Sequence, residues 1–154
     1  MNHPVSIIDA SPEVAAEILL RFQRIDAKEW QRFFEKIKKV SYDPAKTIRQ
    51  AELPGDCWQW VGAIDDGWGD CKYPKMKHKG KTWRVHRWIV AMLIRPIGVW
   101  EDVDHMCENS LCVNPSHLRI CGTKGHSNRP PPANWDGQYV MFDPLEYNND
   151  GIPI

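Results

Sequence analysis

The sequence predicts an α+β fold in which a small antiparallel sheet, preceded by helices, is stapled by a metal-binding loop. Three patterns point to it: apolar residues at helical spacing before residue 40, short aromatic runs broken by turns between 57 and 85, and Cys107, Cys112 and His117 evenly spaced in a loop rich in Asn, Pro and Ser. The 154 residues suffice for one domain with a modest core and an appendage, and 12 Pro with 10 Gly imply many loops. The expected division is a helical region over 1–50, the sheet and metal loop over 51–130, and a tail over 131–154.

Ser11-Pro12-Glu13 opens the first helix, with Ser11 as N-cap and Pro12 at the first helical position. Val14, Ile18, Leu19 and Phe22 then predict one buried stripe. Asp26 followed by Glu29 is a capping-box pattern, opening a helix whose apolar face is Ala27, Trp30, Phe33, Phe34 and Ile37; the bases of the two helices, Arg21, Arg24, Arg32, Lys36, Lys38 and Lys39, are expected on the opposite face. Breaks at Asp43-Pro44 and Leu53-Pro54-Gly55 mark a connector. Residues 57–61 alternate as a strand, 65–69 turn, and 73–77 return beside them; a second turn at 78–81 leads to 82–85. Residues 86–94 make a helix apolar enough for the core, ended by Arg95-Pro96-Ile97-Gly98. Residues 103–105 enter the metal loop as a short strand, 118–120 leave it, and Thr123 caps a last helix that carries Asn128. Pro130-Pro131-Pro132 begins the tail as an extended segment. Its Trp135, Tyr139, Val140, Met141, Phe142 and Leu145 predict packing, on its own domain or across a homodimer.

The formal net charge is zero, yet it conceals a basic strip: residues 72–95 hold eight Lys and Arg and no acid. Lys72, Lys75, Lys77, Lys79, Lys81 and Arg84, with Tyr73 and Trp83 interleaved, are the expected contacts to double-stranded DNA. Alternation puts Lys75, Lys77 and Lys79 on one side of a ribbon narrow enough for a major groove. No apolar run approaches a membrane span, and no secretory layout opens the chain. Five Cys, an odd number, then indicate a reduced intracellular protein whose thiols bind metal instead of pairing.

Thiolates and imidazole are the ligands of structural Zn²⁺, which takes four. Cys107, Cys112 and His117 supply three; Cys57, Cys71, Cys121 and His126 are candidates for the fourth, Cys57 first because it begins a strand that could reach the loop. His105 precedes the loop and follows Asp104. Its imidazole suits it to take a proton from water, while Asp104 and Asn128 offer the hard oxygens that Mg²⁺ prefers. A base beside hard-metal ligands describes metal-assisted phosphodiester hydrolysis.

Val103-Asp104-His105-Met106-Cys107, Leu111-Cys112-Val113-Asn114-Pro115-Ser116-His117-Leu118 and Gly122-Thr123 through Asn128 resemble the zinc-containing HNH endonucleases of the His-Me finger (ββα-metal) superfamily, of homing and phage type. Cys57-Trp58-Gln59-Trp60 and His86-Arg87 resemble the upstream part of that pattern, so the likeness spans residues 55–130. It implies a hairpin and a helix around one catalytic divalent metal: His105 as general base, Asn128 and Asp104 as Mg²⁺ ligands (Mn²⁺ could substitute), Asn114 as a loop-holding residue, and Cys57, Cys107, Cys112 and His117 on structural zinc. Residues 51–130 become a nuclease domain, an intracellular enzyme of a bacterial or phage-infected host, or a nuclear one in a eukaryote. Arg87 is a candidate to steady charge on the scissile phosphate, or else a helix-surface pair. The alternative reading is a zinc-stabilised DNA-binding module that does not cut.

Overall fold

The computed structural model describes residues 5–47, 53–65, 72–98, 101–121, 141–142 and 144–146. The expected last helix with Asn128, the turn beyond Asp65, Cys71, His126 and the tail from Pro130 to Val140 lie outside the described residues.

Both N-terminal helices begin where their caps predict. The Ser11 side chain accepts the Val14 N–H ahead of α1 (Pro12–Arg24), and Asp26 accepts the Lys28 N–H ahead of α2 (Ala27–Phe34), each at 3.3 Å. Of the buried stripe expected on α1, Val14 and Ile18 are half-buried and Ile18 packs on the core, but the rest of the stripe is a different face. Leu19 and Phe22 are 57% and 51% exposed, whereas Arg21 is buried. Spacing alone does not say what a helix packs against. Phe22 instead leans on Trp30 of α2 at 5.5 Å, and Trp30 stacks on Phe34 at 5.3 Å, an aromatic ridge on the outside of the helical pair.

Arg21 has a different task. Its guanidinium donates to the carbonyls of Ala91 and, at 3.1 Å, Met92, the last turn of α3 (Val85–Leu93). A buried cation there satisfies carbonyls with no helical partner and meets the negative end of the helix dipole. Arg21→Ala should therefore cost about 2 kcal/mol, read as a lower urea midpoint at unchanged m-value.

α3 is buried along nearly its whole length and forms the centre of the fold, as a helix apolar on every side must. Trp88, Ile89 and Met92 pack in one cluster with Phe33, Trp60, Ile97, Leu118 and Ile120. Around it lie small antiparallel sheets, and not the single sheet expected. β2 (Ile37–Val40) pairs with β3 (Cys57–Trp60), from Ile37 opposite Trp60 to Val40 opposite Cys57. β4 (Ile64–Asp65), β5 (Tyr73–His78) and β6 (Lys81–Arg84) form a second sheet. β7 (Ile97–Gly98) is set apart from β8 (Asp102–His105), which joins β9 (Leu118–Cys121) and β1 (Val5–Ser6) in a third. β10 (Met141–Phe142) pairs with β7, and Leu145 packs on the core, so this part of the tail sits on its own chain.

Two expectations are corrected here. Ile37, with Lys38 and Lys39, belongs to β2 and not to the second helix, which ends at Phe34. The partner of β3 is consequently β2, and residues 73–77 pair with β6 and β4. The turn at Lys79-Gly80 is as predicted: both residues have positive φ, 48° and 81°, as two-residue hairpin turns favour. No helix among the described residues is long and apolar enough to cross a membrane.

Candidate metal centre and the histidine beside it

The loop between β8 and β9 folds back on itself and on β3. Val113 N–H donates to Trp58 O and Trp60 N–H to Leu111 O, both at 2.9 Å, so the loop lines the edge of β3 that β2 leaves open. Met106 N–H reaches His117 O at 2.8 Å and closes its neck. Asn114 ties it down: its side chain accepts the Ser116 N–H at 2.9 Å and donates to Asp56 O at 2.8 Å.

This wrapping gathers Cys57, Cys107, Cys112 and His117, all buried, with their ligand atoms within 4.8 Å of one another. His117 Nδ1 stands 3.7 Å from Cys57 Sγ and 3.6 Å from Cys112 Sγ. A tetrahedral Zn²⁺ with Zn–S of about 2.3 Å and Zn–N of about 2.0 Å separates S from N by roughly 3.5 Å. His117 Nε2 donates to Pro54 O at 2.9 Å and Gly55 O at 3.2 Å, which leaves Nδ1 as the lone-pair nitrogen facing the thiols. Gly55, with φ of 72°, makes the turn that presents these carbonyls. The cluster can hold a metal ion such as zinc.

Its electrostatics agree. As protein groups alone the thiols cannot all ionise so close together. Hydrogen bonds from Cys107 and Cys112 pull Cys57 far below the usual thiol range, while Cys107 and Cys57 push Cys112 far above it. Burial opposes charge on His117, but Cys107 and Cys57 outweigh it and raise the imidazole to about 10. A divalent cation removes that conflict, because it favours all three thiolates and the neutral imidazole together. Of the other fourth-ligand candidates, Cys121 lies elsewhere, donating to Asp104 Oδ2 at 3.4 Å, its pKa raised to about 11 by burial and that carboxylate.

His105 ends β8, half-buried, two residues before Cys107 and across the ladder from Leu118, which follows His117. Both strands of the hairpin thus run directly into metal-site ligands. Asp104, on the opposite face of the strand by alternation, is buried and takes Arg119 Nη2 at 2.9 Å and Nε at 3.2 Å on Oδ2. Asn128, its expected companion, is not among the described residues.

Arg87 points to the loop before β8. It donates to Glu101 O at 2.5 Å and Gly98 O at 3.2 Å. The buried Glu101 carboxylate receives Arg95 at 2.7 and 2.9 Å and the Gly98 N–H at 2.9 Å. Burial would raise the Glu101 pKa, yet these donors and the charges of Arg95 and Arg87 hold it below the ordinary 4.5. Such a depressed acid stabilises the fold above that value and loses its contribution as pH falls below it. Glu101→Gln should therefore be less stable than the native chain by about 1–2 kcal/mol at pH 7, discounted because Arg95 is partly exposed, with the gap closing below pH 4.5 in urea titrations.

The six expected DNA-contacting cations do not form one row. Lys72, Lys75 and Lys77 are exposed, the last two on the face of β5 opposite buried Met76 and His78. Lys79 lies in the turn and does not continue their alternation. Lys81 stands over the Trp83 ring at 5.1 Å, its pKa lowered by burial, and Arg84 pairs with Asp65 at 3.2 Å. Sequence reasoning missed Tyr42, which packs edge-on against the His117 ring at 5.0 Å and donates to Leu53 O at 2.7 Å. Its position beside Asp43-Pro44 suggested only a connector.

No protein-family model matches the chain, and no solved structure matches it. Over 72 residues it is 38% identical to Protein 2.8 of Escherichia phage T7, a match that covers 46% of this chain and 46% of that protein. The chain thus spans about half the length of this curated phage relative.

Proposed function

We propose that the chain is a zinc-stabilised, metal-dependent DNA endonuclease or nickase of the HNH, ββα-metal type. One observation carries the reading: the buried Cys57, Cys107, Cys112 and His117 cluster closes the loop of a hairpin whose first strand ends on Asp104-His105. His105 takes the proton of a water as its oxygen attacks phosphorus, and the bond from phosphorus to the departing 3′ oxygen breaks. The products are a 5′-phosphate and a 3′-hydroxyl. Asp104 and Asn128 would hold the divalent cation, which offsets charge developing on the phosphate when bound. The zinc centre takes no part in the step; it fixes the strand end that carries His105.

The test is incubation of zinc-loaded protein with supercoiled plasmid and Mg²⁺ or Mn²⁺. Nicked or linear product with 5′-phosphate ends, suppressed when Mg²⁺ is omitted, is expected. Binding of the plasmid without any strand break would contradict the reading.

A further inference from the structure

Rings from three elements meet at His105. His86, the second residue of α3 and only 4% exposed, places its imidazole 4.8 Å from that of His105, inclined by 38°. Tyr73, the first residue of β5, lies 5.2 Å from the His86 ring at 22° and 6.5 Å from the His105 ring at 29°. The Arg84 guanidinium, paired with Asp65, covers the Tyr73 ring at 4.6 Å.

A general base works only when the lone pair of one nitrogen is aimed at the attacked water. The torsion that turns a histidine ring is soft and broad. β8 fixes where the Cβ of His105 points, but it ends at that residue and leaves the ring plane unset. His86 is buried, so it acts through His105 and not on DNA.

We propose that His86, backed by Tyr73, is a positioning residue that fixes the plane of the His105 imidazole. The proposal rests on the reading of His105 as the base. The two imidazoles lie 4.8 Å apart and tilted by 38°, close enough for ring packing to hold the plane. A flat ring without nitrogen should accordingly serve as well as imidazole.

The experiment compares zinc-loaded full-length protein with His86→Ala, His86→Phe, Tyr73→Leu and His105→Ala on supercoiled plasmid with Mg²⁺, each checked for zinc content and thermal melting. His86→Ala should lower kcat by about 10- to 100-fold with KM for DNA nearly constant, the signature of lost orientation. His86→Phe should restore near-native kcat, and Tyr73→Leu should slow kcat to a lesser degree. Native kcat in His86→Ala, or a His86→Phe as slow as His86→Ala, would overturn the proposal. If His86→Ala does not fold, the other two decide: an active His86→Phe with a slowed Tyr73→Leu supports it, and any other pattern overturns it. A native protein that does not cut, or that cuts no faster than His105→Ala, removes the base assignment itself and this proposal with it, an outcome distinct from an active enzyme indifferent to His86.

Discussion

Cys107→Ser should yield a chain that neither retains zinc nor folds. Native protein is expected to carry about one tightly held Zn²⁺ per chain, bound by Cys57, Cys107, Cys112 and His117. Structural zinc contributes on the order of 10–16 kcal/mol in zinc-finger peptides, as much as the whole stability of an ordinary domain, about 5–15 kcal/mol. Beyond its backbone bonds to β3 and the Asn114 tie to Asp56, the loop it closes has little apolar support of its own. Its apolar cluster is small, Leu53 and Met106 with the three cysteines, and Glu108 adopts a positive φ of 62° that a bulky residue tolerates only under constraint. Metal analysis with near-ultraviolet circular dichroism checks this: zinc and tertiary signal should vanish together. A native spectrum in zinc-depleted protein would remove the staple.

The second large effect belongs to the site. His105→Ala should lower plasmid turnover by about 10²- to 10⁴-fold, the usual range for losing a general base, without lowering zinc content. The ring of His105 is not among the zinc-cluster ligands, and the backbone bond from Met106 to His117 does not depend on that ring. Plasmid affinity measured with Mg²⁺ and Mn²⁺ left out should be nearly unchanged. A parallel fall in zinc content would make His105 a structural residue and not a base.

What the sequence displayed and what it hid divide along sequence separation. The caps at Ser11 and Asp26, the hairpin turn at Lys79-Gly80 and the strands flanking the metal loop are set by neighbours within a few residues, and each is where its pattern implied. Cys107, Cys112 and His117 were legible because one short loop holds them. Cys57 led four candidates for the fourth ligand, but the contacts that run β3 beside the loop are long-range and not local. Trp30, Phe33, Phe34 and Ile37 fit a continuing helix by period, yet Ile37 starts a strand because residues 57–60 offer it a partner. The C-terminal half of the α1 stripe was misjudged for a related reason: the end of α3 selects Arg21, a residue no apolar pattern marks. The Tyr73, His86 and His105 ring wall, and the pair between Asp104 and Arg119, join elements whose proximity only the fold creates.

We propose that a metal-stapled hairpin presents His105 to DNA as the base of a hydrolytic site. It is tested most directly by the rate of supercoiled plasmid loss with Mg²⁺, measured side by side for native protein and His105→Ala at equal zinc occupancy. Nicking or linearisation by the native protein, with at least about a hundredfold slower loss in the variant, is the predicted result. Equal rates, or no strand break from fully zinc-loaded native protein, would contradict it.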